Sequence, residues 1–277
     1  MLTQAEKARV FAELHKRASA FIIPNPWDVG SARLLAHVGF EALATSSAGY
    51  AFTLGKADRM VGRDGTLSHA TDVAAATDLP VSIDLENGFG DAPAVVAETI
   101  RLAAATGAVG GSIEDSTGRD DDPLYERTLA VARIQAAADV VHHLPFPFTL
   151  TARAENYLVG KPDLNDTIER LQLYQEAGAN VLYAPGLTNK SDIATIVSSL
   201  DRPVNVLMGM AGVKLTLAEL SEIGVKRISV GSGLARCALG AFLRAAEEMR
   251  DHGTFTFGDT AANSRMINSI FKNAADS

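Results

Sequence analysis

A single cysteine in 277 residues leaves no internal disulfide and no multi-cysteine zinc site, a usage that suits a reducing cytoplasm. The N-terminus, Met1 to Arg17, mixes charged with apolar residues and has no apolar h-region. No run of about 20 apolar residues follows it, so neither export nor membrane insertion is expected. Positive charge is in deficit. Lys plus Arg number 25 against 33 Asp plus Glu, and the net charge of −8 opposes non-specific binding to nucleic acid or anionic membranes. The first apolar run leads into "NPWDVGSA", which lacks the GxGxxG of a dinucleotide fold. None of the histidines (His15, His37, His69, His142, His143, His252) ends a strand candidate, so His-based catalysis and His–metal ligation are disfavoured. No strand core holds a lysine placed for a Schiff base, since Lys226 precedes the last strand. What is present is a 47% apolar share with 21% charged residues, enough for a sizeable core and against wholesale disorder.

Short runs rich in Val, Ile and Leu alternate with longer segments whose apolar residues recur every three or four positions. The runs are Phe21–Pro24, Ala42–Ser46, Val81–Glu86, Gly110–Asp115, Phe148–Glu155, Val181–Pro185, Val204–Met208 and Arg227–Gly231. Each is short and lacks in/out alternation, as parallel strands covered on both faces do. Between them, Leu164, Ile168, Leu171 and Tyr174 form a helical stripe stopped by Gly178; Ile193, Ile196, Val197 and Leu200 form another, with Ser191 as its N-cap; and Pro93 opens a third. Eight such units fit a (β/α)8 barrel or a doubly wound sheet. The count and the polar residues at the strand ends favour the barrel, which fills about 250 residues. The chain therefore reads as one barrel domain over 1–277 with a C-terminal helical region from 234 onward. Met266, Ile267, Ile270 and Phe271 there form a stripe that needs either this barrel or a neighbouring subunit to cover it.

In a barrel the C-terminal strand ends form the active-site mouth. They would deliver Thr45, Ser46 and Ser47 with a loop reaching Asp58, then Asp84 and Glu86, Glu114 and Asp115, Arg153 and Glu155, and Asn205. Carboxylates converging from successive strand ends repel unless a cation neutralises them. Oxygen-only donors select a hard metal such as Mg2+, with Mn2+ as an alternative. Asp84 is the natural direct ligand, with Asp58, Glu86 and Glu114 holding metal-bound waters. Arg153 offers a planar fork to a substrate carboxylate. The glycines of "GMAG" and "GSG" read as tight turns, and Cys237 reads as a packed core residue.

The segments "ATSSAGYAFTLGKAD", "PVSIDLENGFGD", "GGSIED" and "TARAEN", in this order, resemble the isocitrate lyase/phosphoenolpyruvate mutase superfamily from about Pro24 to "VGSGLAR". The resemblance implies a (β/α)8 barrel, Mg2+, a 2-oxo acid as substrate or product, and a last barrel helix exchanged between subunits of a homo-oligomer (a dimer of dimers). It also implies roles. Ser46, with the amides of Ser47 and Ala48, binds the pyruvyl-type carboxylate; Asp84 coordinates the metal; Asp58, Glu86 and Glu114 form the water-mediated acidic shell; Arg153 contacts substrate and offsets developing charge. Asp58 and Glu114 thereby join Arg153 as the catalytic set, with Asn205 a further substrate contact. A departure accompanies the likeness. Superfamily lyases resemble one another in a Lys-(Lys/Arg)-Cys-Gly-His gating loop, whereas Ser116 to Glu126 here reads "STGRDDDPLYE", without Cys, Lys or His. The expected activity is cleavage or rearrangement of a C–C or C–P bond of an oxaloacetate-like or phosphonopyruvate-like acid through a metal-stabilised enolate, and not standard isocitrate or methylisocitrate cleavage. Arg119 and Tyr125 are the loop's remaining candidates for contacting or protonating substrate. Loss of turnover with retained 2-oxo acid binding is the alternative.

Overall fold

The computed structural model describes residues 2–275; Met1, Asp276 and Ser277 lie outside them. All eight expected strands form, trimmed at their ends: β1 (Phe21–Ile23), β2 (Leu43–Ala44), β3 (Val81–Asp84), β4 (Gly110–Glu114), β5 (Thr149–Arg153), β6 (Val181–Tyr183), β7 (Val204–Leu207) and β8 (Arg227–Ser229). They pair in parallel in the order β1-β8-β7-β6-β5-β4-β3-β2. The two end strands nearly close the ring, because the Ala44 amide donates to the Pro24 carbonyl at 3.1 Å. The structure is a (β/α)8 barrel.

Its helices are α1 (Gln4–Leu14), α2 (Val29–Val38), α3 (Ser47–Thr53), α4 (Arg63–Ala76), α5 (Pro93–Ala104), α6 (Arg127–His142), α7 (Leu164–Glu176), α8 (Lys190–Ser198), α9 (Leu217–Glu222), α10 (Gly233–His252) and α11 (Ser264–Ala275). The stripes read from sequence face the strands: Leu171 and Tyr174 on α7, and Ile193 and Ile196 on α8, are buried. Pro93 opens α5 and Gly178 takes a left-handed φ of 103° just after α7. One cap differs from expectation. Asn189, not Ser191, caps α8, its Oδ1 accepting the Asp192 amide at 2.8 Å, while Ser191 sits inside the helix and donates to that same oxygen.

Helix α1 precedes the barrel and closes its N-terminal end. Gln4 Nε2 donates to the Ala104 and Ala108 carbonyls, and Lys7 Nζ to that of Thr77. Phe11 and His15 meet Phe21 edge-on. Gly110 is required here, since a Cβ would lie 2.9 Å from the Thr149 carbonyl oxygen and 3.0 Å from the Phe11 ring. At the other end of the chain, α11 seats on α2 of its own barrel with Ile270 buried. Helix α10 is different. Of its residues only Ala235 is buried, and Leu239, Phe242 and Leu243 are exposed. Cys237 is exposed with them rather than packed in the core as expected, because α10 has little of its own barrel to lie against. No helix among the described residues is long and apolar enough to cross a membrane.

Gly110→Ala should lower the unfolding free energy by about 1–3 kcal/mol. Unchanged denaturant midpoints would show that α1 yields to the extra methyl.

Candidate active site

Beyond β2 the chain turns directly into α3. Ser46 caps this helix, its Oγ accepting the Gly49 amide at 3.1 Å, and Gly49 lies so close to Trp27 that a Cβ would come within 3.0 Å of it. The cap turns the next residue inward: Ser47 donates to Asp84 Oδ2 through its hydroxyl at 2.9 Å and its amide at 3.3 Å. Asp84 at the end of β3 is held from behind by its own amide, which donates to Thr45 Oγ1 at 2.9 Å.

Arg153, at the end of β5, is the centre of the site. It pairs with Asp84 through Nη1 (3.0 Å), with Glu114 through Nη2 (3.1 Å) and with Glu155 through Nε (2.8 Å). Its guanidinium also lies 5.3 Å from the Tyr183 ring. Burial opposes its charge, but Glu155, Glu114 and Asp84 outweigh that and raise its pKa further. Glu114 is nearly inaccessible, and burial pushes it up to about 8 despite the guanidiniums of Arg153 and Arg59. Glu86 follows β3 in a left-handed conformation (φ 49°); its Oε1 is buried without a hydrogen-bond partner. Burial, then Asp84 and Asp58, push Glu86 up to about 7.

A cavity of about 190 Å³ joins these residues: Ser46, Ser47, Ala48, Asp58, Asp84, Arg153, Tyr183 and Asn205 all border it. A second, outer cavity of about 570 Å³ shares Ser47, Asp58 and Arg153 and adds Glu86, Glu114 and Glu155. Of the strand-end residues expected at the site, all but Asp115 border one of these two spaces at the C-terminal mouth. Two of the expected residues are placed differently from expectation. Asn205 lies deep, with its Nδ2 donating to Ser229 Oγ and its Oδ1 accepting from Arg227, so both amide atoms are engaged. Asp115 leaves the mouth to accept the Glu155 amide, Arg170 and the Tyr174 hydroxyl.

Sequence reasoning missed Arg59, Tyr183 and Arg227. Arg59 Nη2 reaches Glu114 Oε1 at 2.5 Å and its Nη1 donates to Ser116. Its position beside Asp58 was the available signal. Tyr183 ends β6, where the strand-end rule applies equally. Arg227 begins its strand, and nothing in the sequence points it inward. The loop 116–126 is folded on itself. Ser116 bridges Leu124, and Arg119 pairs with Asp91 and Asp122. The buried Tyr125 hydroxyl donates to Asp91 at 2.6 Å and borders neither cavity, so it is not placed to protonate a ligand there; burial, followed by Asp91, pushes its pKa up to about 12.

A divalent cation would find few direct protein ligands here. Among the described residues no three Asp, Glu, His or Cys groups converge as a direct ligand set. The donors are nonetheless all oxygens, five carboxylates (Asp58, Asp84, Glu86, Glu114, Glu155) face two guanidiniums, and Glu86 Oε1 lacks any partner. Such a surplus suits Mg2+ held by one carboxylate, Asp84, with the others on its waters.

Barrel, acidic mouth and central arginine define a (β/α)8 protein with a charged site at the C-terminal ends of its strands. The chain belongs to the phosphoenolpyruvate phosphomutase family, whose model matches residues 11–250. It is 62% identical to a candidate lyase/mutase from Burkholderia cenocepacia J2315, with a TM-score of 0.95 over 97% of this chain and 96% of that one. It is 32% identical to an uncharacterized protein of Mycobacterium tuberculosis (strain ATCC 25618 / H37Rv) over 87% of this chain and 89% of the relative. The fold, at 20% identity, is also that of phosphonopyruvate hydrolase solved with oxalate and Mg2+, with a TM-score of 0.85 over 98% and 96% of the two chains.

A carboxyl whose folded pKa is raised holds a proton that the unfolded chain has already released. Metal-free protein should therefore lose stability as pH rises from about 4.5 to about 7 through Glu86. Glu86→Gln should remove roughly 2 kcal/mol of that loss. Parallel stability–pH curves for variant and wild type in chelator would contradict the assignment.

Proposed function

We propose that this chain is a divalent-metal-dependent enzyme that cleaves or rearranges a C–C or C–P bond of a small 2-oxo acid. The observation that carries the reading is the Ser47–Asp84–Arg153 assembly at one wall of a cavity of about 190 Å³. That space is smaller than the roughly 300–1,000 Å³ of drug-sized ligand sites and suits a few-carbon acid.

Asp84 would hold a Mg2+ ion, whose positive charge would offset negative charge developing on the acid. The chain's own residues do the rest. Ser46 and the amides of Ser47 and Ala48 orient the substrate carboxylate at the start of α3. Ser47 keeps Asp84 in place, and Arg153, clamped by three carboxylates, offsets negative charge on the departing or migrating group without having to reorganise. The loop 116–126 brings no Cys, Lys or His, and its arginine and tyrosine are already tied to Asp91. A reaction that asks little of a loop acid therefore fits best: decarboxylation or hydrolysis of an oxaloacetate-like acid, ahead of phosphonopyruvate chemistry. The same self-contained loop supports the second reading, a 2-oxo acid binding protein that keeps the metal site without turnover.

We also assign the uncovered α10 face to a second copy of the chain, within a dimer of dimers. Leu239, Phe242 and Leu243 give it an apolar surface with no cover in one chain. Phe242→Glu should lower the mass seen by light scattering; an unchanged mass would remove α10 from the interface.

Thermal unfolding with Mg2+ against oxalate, pyruvate, oxaloacetate, 2-oxoglutarate and phosphonopyruvate tests the site. A ligand at 100-fold its dissociation constant adds about 2.7 kcal/mol. A Mg2+-dependent shift absent in Asp84→Ala is expected, with product formed from oxaloacetate. A shift with no product from any acid would favour the binding protein, and no shift with any acid would remove the assignment.

A further inference from the structure

Below the mouth, the inward-facing positions of this barrel are polar where branched apolar residues usually fill such a core. Two residues under Asp84 on β3 lies Ser82; under Glu114 on β4, Ser112; under Arg153 on β5, Thr151; and under Ser229 on β8, Arg227, paired in register with Asn205 of β7. Arg227 is 5% exposed. Its Nε donates to Asn205 Oδ1 at 2.9 Å and its Nη2 to Thr151 Oγ1 at 3.1 Å, both neutral acceptors. Its Nη1 is buried with no hydrogen-bond partner. No carboxylate among the described residues pairs with it, whereas Arg153 one layer above has three. His15 beneath cannot supply an anion; burial and the Arg227 charge push its pKa down to about 3, so it is neutral.

A buried guanidinium is ordinarily paired. Burial depresses Arg227 to about 10, which leaves it charged at neutral pH. The hydroxyls of Ser82 and Ser112 have no partner within the described residues, and together with Arg227 and Ser229 they border the same cavity as Asp84 and Arg153. That cavity is therefore divided by charge: carboxylates in surplus at its mouth, an uncompensated cation on its floor.

We propose that Arg227, with Ser82 and Ser112, forms an anion receptor on the barrel floor that accepts one singly charged oxygen or halide group, a carboxylate or chloride. Two sources share this chemistry: a free small anion, and a second carboxylate of the substrate, which would make the enzyme selective for diacids.

The test is the melting midpoint of wild type, Arg227→Met and Arg227→Lys in metal-free buffer, titrated with sodium chloride or sodium acetate at ionic strength fixed by a bulky sulfonate. The same proteins are then titrated with pyruvate and with oxaloacetate in Mg2+. Arg227→Met replaces an unpaired buried charge with an apolar chain, so without added anion it should melt no lower than wild type. If it does not fold, Arg227→Gln takes its place. Either of two results supports the receptor. In the first, the wild-type midpoint rises saturably with chloride or acetate, Arg227→Met loses at least tenfold in apparent affinity and Arg227→Lys retains part of it, which identifies a free anion. In the second, the metal-free arms are flat but Arg227→Met loses at least tenfold for oxaloacetate and nothing for pyruvate, which identifies the substrate's second carboxylate. Equal responses of wild type and Arg227→Met to all four probes would overturn it. The chloride and acetate arms use no metal, so they stand apart from the reading of the Asp84 site.

Discussion

One guanidinium organises the mouth of this barrel. Arg153 reaches carboxylates at the ends of three different strands, and two of them, Glu114 and Glu155, are almost fully withdrawn from water. A buried ion pair contributes little net stability against an apolar replacement, but removing one partner strands the others at a cost of about 3–5 kcal/mol. The cluster therefore persists as a unit or not at all. Its geometry is set by the strands rather than by loops: β3, β4 and β5 are adjacent in the sheet, Glu114 pairs in register with Arg153, and Asp84 pairs with Ser112, two residues before Glu114.

Even so, the cluster is not neutral. Arg153 and Arg59 together leave an acidic surplus, which raises the buried Glu114 as well as Glu86, whose Oε1 has no hydrogen-bond partner. The same low dielectric that raises Glu86 would strengthen any cation placed beside it. Deeper in the barrel the sign reverses at Arg227.

Structure away from the mouth serves to hold this arrangement. α1 seals the far end through three side-chain bonds to backbone carbonyls, and Gly110 lets Phe11 approach the strands. Asp115, adjacent to Glu114, turns away to bind Arg170, Tyr174 and the Glu155 amide, so one carboxylate of the pair anchors β4 to α7 while the other faces the cavity. α10 contributes almost nothing to the barrel's own core, and its apolar face is exposed.

The sequence by itself determined the strands, because a buried parallel strand needs a continuous apolar run and a helix needs a 3.6-residue stripe, and both patterns are local. It also brought Asp84, Glu114 and Arg153 to the mouth through the strand-end rule, though the same rule offered Asp115, which turns away to Arg170 and Tyr174. Tertiary structure decided the rest. Arg227 opens a strand, and only the closed barrel turns it inward beside Thr151, a residue 76 positions away in sequence. Arg59 looked like a loop residue until Glu114, 55 positions on, came within its reach. Tyr125 sat on a promising loop and was claimed by Asp91, and Cys237 sat among small apolar residues on a helix that the barrel does not cover. In each case the deciding contact joins segments far apart in the chain, and no periodicity or local spacing encodes such a contact.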